Sequence, residues 1–429
     1  MIDCVDAWLL ESADGAAARV SAARPDAVLV VQTMAVPPAL ICDALSQARH
    51  VAVMVWAVRG ERSVSDAVNH AGITRDGATV GASQLLNVLQ RLRQPHSLFI
   101  GPIDDESAVE AVCAQLQVLA AATRLKRLRV ARVGPPLQGY SCVDVDNAKL
   151  ACALGVDVIS LPARELQDAY RQTSVADGRI VANECAGTFS IAPELAMQTG
   201  FSRCMRFAAA LEQLDERLQV GAGTLNCHVP ELRFADDPGI APCYALGRET
   251  SRGIPWTCTG DVLTAIAMWT TKSLSGSALY HEIEALDDVT KEAVLANSGE
   301  HDLAWCAPDE RPELLRNGWF ATDRCTGVCA CFSVAPGPAT LVGFTEHADE
   351  PSGFRFIVAE GFVTDRRFPG TGTAHGAFRF GDGTESIASA WARWAASGVN
   401  HHSSAARGHI GGRVAELARL CRIGCVRIT

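Results

Sequence analysis

The segment YHEIEALDD carries Glu282 and Glu284 two residues apart on a stretch that reads as a strand, where a period of two puts both side chains on one face. Carboxylates that face one way repel, so they need water, a shared proton or a cation between them. A hard divalent cation such as Mn2+ or Mg2+ suits carboxylate and imidazole donors, while a solvated acidic strand is the plainer reading. Further on, NSGEHDLAW places Gly299 in a turn that projects Glu300, His301 and Asp302. Near the C-terminus, His401 and His402 are adjacent and point different ways, so at most one of them serves a given site. Gly408, Gly411 and Gly412 then form a loop before a helix, with His409 at its mouth, and such glycines let the backbone approach a ligand closely.

Other chemistries find less support. Cys325, Cys329 and Cys331 are the tightest group of the 16 cysteines, but no second paired half with zinc spacing follows them. The alternation in VCACFSV reads instead as a strand with two cysteines on one face. No G-x-S-x-G elbow marks a nucleophilic serine. No G-x-G-x-x-G follows an early strand and no P-loop occurs, so the early α/β segments read as scaffold.

The elements that must position these residues fall into three stretches, 1–127, 128–254 and 255–429. In the first, AVLVVQ (27–32), HVAVMVWA (50–57) and HSLFIGP (96–102) read as strands between amphipathic helices at 37–49, 82–94 and 107–128. That alternation implies a parallel sheet with crossover helices. A second α/β unit begins at LRVARVG (128–134) and continues through GVDVISLP (155–162) to a long Gly- and Pro-rich connection at 222–261. The third stretch opens with the helix DVLTAIAMWTTKSL (261–274), followed by short strands separated by Gly and Pro turns and helices at 384–397 and 412–421. The expected fold is α/β, with two Rossmann-like parallel domains followed by a C-terminal α+β domain built on an antiparallel sheet or small barrel.

Composition narrows the partners. At 48% hydrophobic and 20% charged, the 429 residues can bury several cores, which excludes a disordered chain. A net charge of −10 leaves no basic footprint for nucleic acid or an anionic membrane. The start, MIDCVDAWLLESADG, lacks a basic n-region and no stretch approaches 18 uninterrupted apolar residues, so a cytoplasmic protein without a membrane span is expected. The scattered cysteines then read as reduced and buried.

Several of these segments carry a resemblance to the L-fucose isomerase and L-arabinose isomerase superfamily. GHIGGRVAELARLCRIGCV resembles the C-terminal segment of L-fucose isomerases, and the His401-His402 doublet is similar to that of L-arabinose isomerases. CTGDVLTAIAMWTTKSLSG (258–276) resembles a family segment in which Glu-Gly-Asp precedes a helix. YHEIEALDD and NSGEHDL fall where the family has its second acidic ligand and the Gly-rich turn after it, and RVARVG resembles the strand opening its second domain. The resemblance implies a three-domain fold, a homo-oligomer and a small-molecule sugar substrate. It also implies a Mn2+-type cation, held by two carboxylates and one or two histidines, that binds the sugar's oxygens while carboxylates move a proton between C1 and C2 through an enediol.

Carried over by position, Glu282 or Glu284 is the second carboxylate, His301 and one of His401 and His402 are metal ligands, and Asn400, Thr259 and His409 are substrate contacts. One departure stands out. Where the family has its first Glu, this chain has Thr259, which can neither carry the charge nor abstract a carbon-bound proton. Asp261 is the acid left in that segment, and Glu249 in GRETSRG is another candidate replacement. The loss admits two further readings: another carbonyl reaction (epimerisation, decarboxylation or retro-aldol cleavage), or a sugar-binding homologue without catalysis.

Overall fold

The computed structural model describes residues 2–428 except 13, 61–62, 76 and 323–324. The chain forms two compact units, Met1–Lys126 with Glu416–Arg422, and Arg127–Ala415 with Ile423–Thr429. In the first, β1 (Ala27–Gln32), β2 (Ala52–Val58) and β3 (His96–Gly101) make a parallel sheet in that order. The central strand, AVMVWAV, is buried nearly throughout, as a parallel strand covered on both faces must be. Helices Pro38–Ala44, between β1 and β2, and Ala78–Arg91, between β2 and β3, lie on the crossovers, and β3 is followed by the helix Glu106–Leu125. The latter is long and apolar enough to cross a membrane by composition alone, but it buries Val112, Val118, Leu119 and Leu125 within its unit.

The second unit starts with β4 (Arg129–Val133), β5 (Asp157–Leu161), the two-residue β6 (Ser190–Ile191), β7 (Ala222–Leu225), the two-residue β8 (Ile240–Ala241) and β9 (Trp256–Cys258). Four of these form a parallel sheet of order β5-β4-β7-β9. The strands that follow are β10 (Leu279–Asp287), β11 (Glu292–Ala296), β12 (Glu313–Arg316), β13 (Thr326–Ser333), β14 (Gly337–Glu346), β15 (Phe354–Val363), β16 (Ala374–Phe380), β17 (Ser403–Arg407) and β18 (Gly424–Ile428). Six of them close an antiparallel barrel in the order β15-β14-β17-β10-β11-β16, β16 pairing back to β15. β18 and β13 add parallel strands at β15 and β16.

The α/β class and the barrel were the expected ones. The helix Val262–Ser275 follows β9, starts at Asp261, whose carboxylate accepts from Thr264 N at 2.9 Å, and ends at the left-handed Gly276. Phe344, Phe354 and Phe356 fill part of the barrel wall, with ring centroids 4.7 and 5.6 Å apart. Cys329 and Cys331 are buried on β13, in the strand expected there. Several elements go beyond the sequence reading: β7, β8, β9 and the helix Cys243–Arg252 lie within 222–261, where a long connection was expected. β17 is SSAAR and β18 is GCVRI, where the expectation had only a loop and a helix end.

Candidate metal centre

Three segments distant in sequence converge in the second unit. β9 ends at Cys258, and the chain then passes through Thr259 (φ 62°) and Gly260 (φ 78°), both left-handed, into Asp261. Gly260 is required twice over, because a Cβ there would lie 2.9 Å from the Pro136 backbone. A β-branched residue at positive φ is strained, and such strain persists only where its surroundings impose it. From the barrel, β10 carries Glu282 and Glu284. The register against β11 shifts between Ile283 and Ala285, so Glu284 is the extra residue of a bulge. The third segment, Asn400–His402, enters β17, and the pairing of His281 with Ser403 brings His402 alongside Glu282.

His402 is the hinge of the arrangement. Its Nδ1 lies 3.1 Å from Asp261 Oδ2 and its Nε2 lies 2.9 Å from Glu282 Oε1. Burial alone would push this imidazole down, but its hydrogen bonds to Asp261 and Glu282 and the two charges outweigh burial and hold it at about 9. Glu282 correspondingly sits below the usual carboxylate range, against its own burial, because His402 stabilises the anion. Glu284, hydrogen-bonded to Glu282, is pushed up to about 7 by burial and by its neighbour's charge. Contrary to the expectation that the two histidines point different ways, His401 stands on the same site, with its Nε2 3.8 Å from Glu282 and its ring centroid 3.7 Å from that of His402.

The ligand atoms of Glu282, His401 and His402 all lie within 4.8 Å of one another. Two donors on one ion at about 2.1 Å each can be no more than about 4.2 Å apart, so a small closure would let the three reach a common ion. The donor chemistry also fits. A carboxylate and two imidazoles suit a first-row divalent ion, and Asp261 on the far nitrogen of His402 is the second partner that orients a metal-bound histidine.

The remaining sequence candidates divide plainly. Asn400 donates to Asp261 Oδ2 at 2.9 Å and accepts from His401 N at 2.8 Å, so it ties Asp261 to His401. Asp261 is fully buried, capping a helix and holding His402. The Thr259 hydroxyl donates to Cys258 O at 2.7 Å. His301 stands outside the group of three. It is buried against Tyr244 and Phe189, at 5.9 and 5.8 Å between centroids, and burial pushes it down to about 4. His409 bonds Gly361 O at 3.0 Å and meets Phe362 edge-on. Glu249 belongs to a separate ion cluster with Arg248 and Arg252.

Among the neighbours, Tyr280 and Cys227 had no sequence signal of their own, whereas Glu300 lies in the turn singled out after Gly299. The Tyr280 ring lies 4.7 Å from His402, with its hydroxyl 3.4 Å from Cys258 Sγ. Cys227 follows β7, beside β9 in the sheet, and the Cys258 thiol and His228 hold it well below the ordinary thiol range despite burial. Glu300 is buried, takes a hydrogen bond from Ser298 at 3.1 Å, leaves Oε1 without a partner and is pushed by burial up to about 7. The general signal was available: ligands of parallel α/β sheets gather at the carboxyl ends of the strands, and Cys227 and Thr259 both lie there.

Sequence comparison adds one finding to this geometry. Over 221 residues, half of the chain, it is 23% identical to the L-arabinose isomerase of Tolumonas auensis. The chain is similar to a sugar isomerase. The match spans 44% of that protein's length. No family model matches the sequence.

Proposed function

We propose that this site holds a divalent cation of the Mn2+ type, and that the protein is an isomerase-like enzyme acting on a small sugar or sugar acid through an enediol. The observation that carries the reading is the line Asp261–His402–Glu282, with His401 beside it. The similarity to an L-arabinose isomerase supports the substrate class. A bound ion would supply Lewis acidity toward the sugar's carbonyl and adjacent hydroxyl. Glu282, His401 and His402 would hold it, and Asp261 and Asn400 keep the two imidazoles in place. Glu284 is the open carboxyl of the set, adjacent to Glu282, and is placed to take a proton from carbon and return it.

Thr259 bears on the alternative reading, epimerisation at C2. Its hydroxyl is occupied by its own chain and the position offers no acid or base, so a single carboxyl must serve both carbons. One base on one face suits proton transfer between C1 and C2, whereas inversion at C2 needs the proton returned to the opposite face, so the epimerase reading requires the intermediate to turn in the site. The test is a screen of aldoses and ketoses with Mn2+ in D2O, followed by NMR. Interconversion with deuterium at C1 or C2, reduced at least about a hundredfold by Glu284→Gln, is the expected result. Deuterium exchange with C2 inversion alone would establish the epimerase, and an inert wild type holding its metal would refute both.

A further inference from the structure

The loop after β4 reaches the same histidines from the other side. It is held at both ends: Asn226 Nδ2 donates to Pro135 O at 2.8 Å, Leu137 N donates to Thr259 O at 2.9 Å, and Val143 is buried. Two turns, Tyr140 N to Leu137 O and Val143 N to Tyr140 O, both at 3.1 Å, fix the segment between. It presents Tyr140 with its ring centroid 6.0 Å from His401, and Cys142 Sγ 3.9 Å from His401 Nδ1.

The two histidines thus have different aromatic neighbours. Tyr280, against His402, is 1% exposed and does the work of packing. Tyr140, against His401, is 48% exposed, although the loop that carries it is anchored. A large ring kept open on a fixed loop has an apolar surface with nothing on it, and such surfaces at polar sites meet ligands. The neighbours on offer are imidazoles and carboxylates, which suit hydroxyl groups. A ligand with hydroxyls on its edges and C–H bonds on one face, as in a ring-form sugar, satisfies both.

We infer that Tyr140 is a specificity-determining residue of this site, stacking on the C–H face of the sugar while the His401 side of the site takes its oxygens. The inference rests on the sugar reading above and adds which residue selects the substrate's shape. Tyr140 acts by contact, and moves no proton.

The test uses the full chain loaded with Mg2+, titrated with L-arabinose and a panel of other aldopentoses and aldohexoses, with metal content measured on the same samples. The best-bound sugar should show upfield ring-current shifts of one face's C–H protons. Tyr140→Ala should abolish those shifts and weaken binding roughly tenfold with metal content unchanged, and Tyr140→Phe should restore most of both. Equal affinity of wild type and Tyr140→Ala, or no binding of any sugar by the metal-loaded wild type, overturns the role of Tyr140. A wild type without metal fails the cation reading instead, which keeps the two failures apart.

Discussion

Buried ionisable residues in this protein divide into those that share a proton or charge and those that must give theirs up. His402 lies between two carboxylates and keeps its proton; His301, among aromatic rings, does not. Asp215 is an acid of the second kind. It accepts from Trp256 Nε1 at 2.9 Å, leaves Oδ1 without a partner, and is pushed by burial and by the Glu249 charge up to about 8. The folded state therefore binds its proton between about pH 4 and 8 while the unfolded state releases it. The stability this contributes is present below the ordinary aspartate value of 3.8 and is lost as pH rises toward 8, by at most about 1.4 kcal/mol per pH unit. Asp215→Asn keeps an acceptor for Trp256 and titrates nothing. Its urea midpoint should exceed the wild type's at pH 7.5, with the gap closing toward pH 4; a constant gap would refute the assignment. None of these environments was legible in the sequence, because each depends on what surrounds the side chain and not on its neighbours in the chain.

Elements were easier to read where one period dominates. AVLVVQ at 27–32 is β1 residue for residue, a short β-branched apolar run ended by Gln32, although as an edge strand it leaves Leu29 and Val31 exposed. β17 escaped because Ser, Ala and Arg have little strand preference; it is a strand because β14 and β10 pair with it on either side. Its position decides the site, since His402 immediately precedes it. A small barrel was one of the two forms expected for this stretch, and its closure passes through Gly361. β15 and β16 pair at Gly361 and Phe380, and a Cβ on Gly361 would lie 2.0 Å from the Arg379 carbonyl oxygen. Gly361→Ala should lower stability by about 1–3 kcal/mol or more, read as a drop in melting temperature. An unchanged melt would show that the seam can widen freely.

At the scale of the second unit, the site is a product of folding. Asp261, Glu282 and His402 lie on a helix cap, a barrel strand and a loop, and no local pattern links them. Glu282, Glu284 and the His401-His402 pair were singled out from residue type and from family resemblance, and the fold brings Glu282 together with both histidines. The sequence did not show that Asp261 would orient His402, nor that His301 would be buried among rings, because both facts belong to contacts across the fold. Metal binding is therefore a readout of the converged site as well as of its ligands. The most direct measurement is Mn2+ stoichiometry and affinity, by calorimetry and elemental analysis, for wild type, Glu282→Gln and Asp261→Asn, each checked for an intact melt. The account predicts one ion per chain, lost in Glu282→Gln and bound about 10–100-fold more weakly in Asp261→Asn. A wild type that binds no ion, or a Glu282→Gln variant that binds it as well as the wild type, would contradict it.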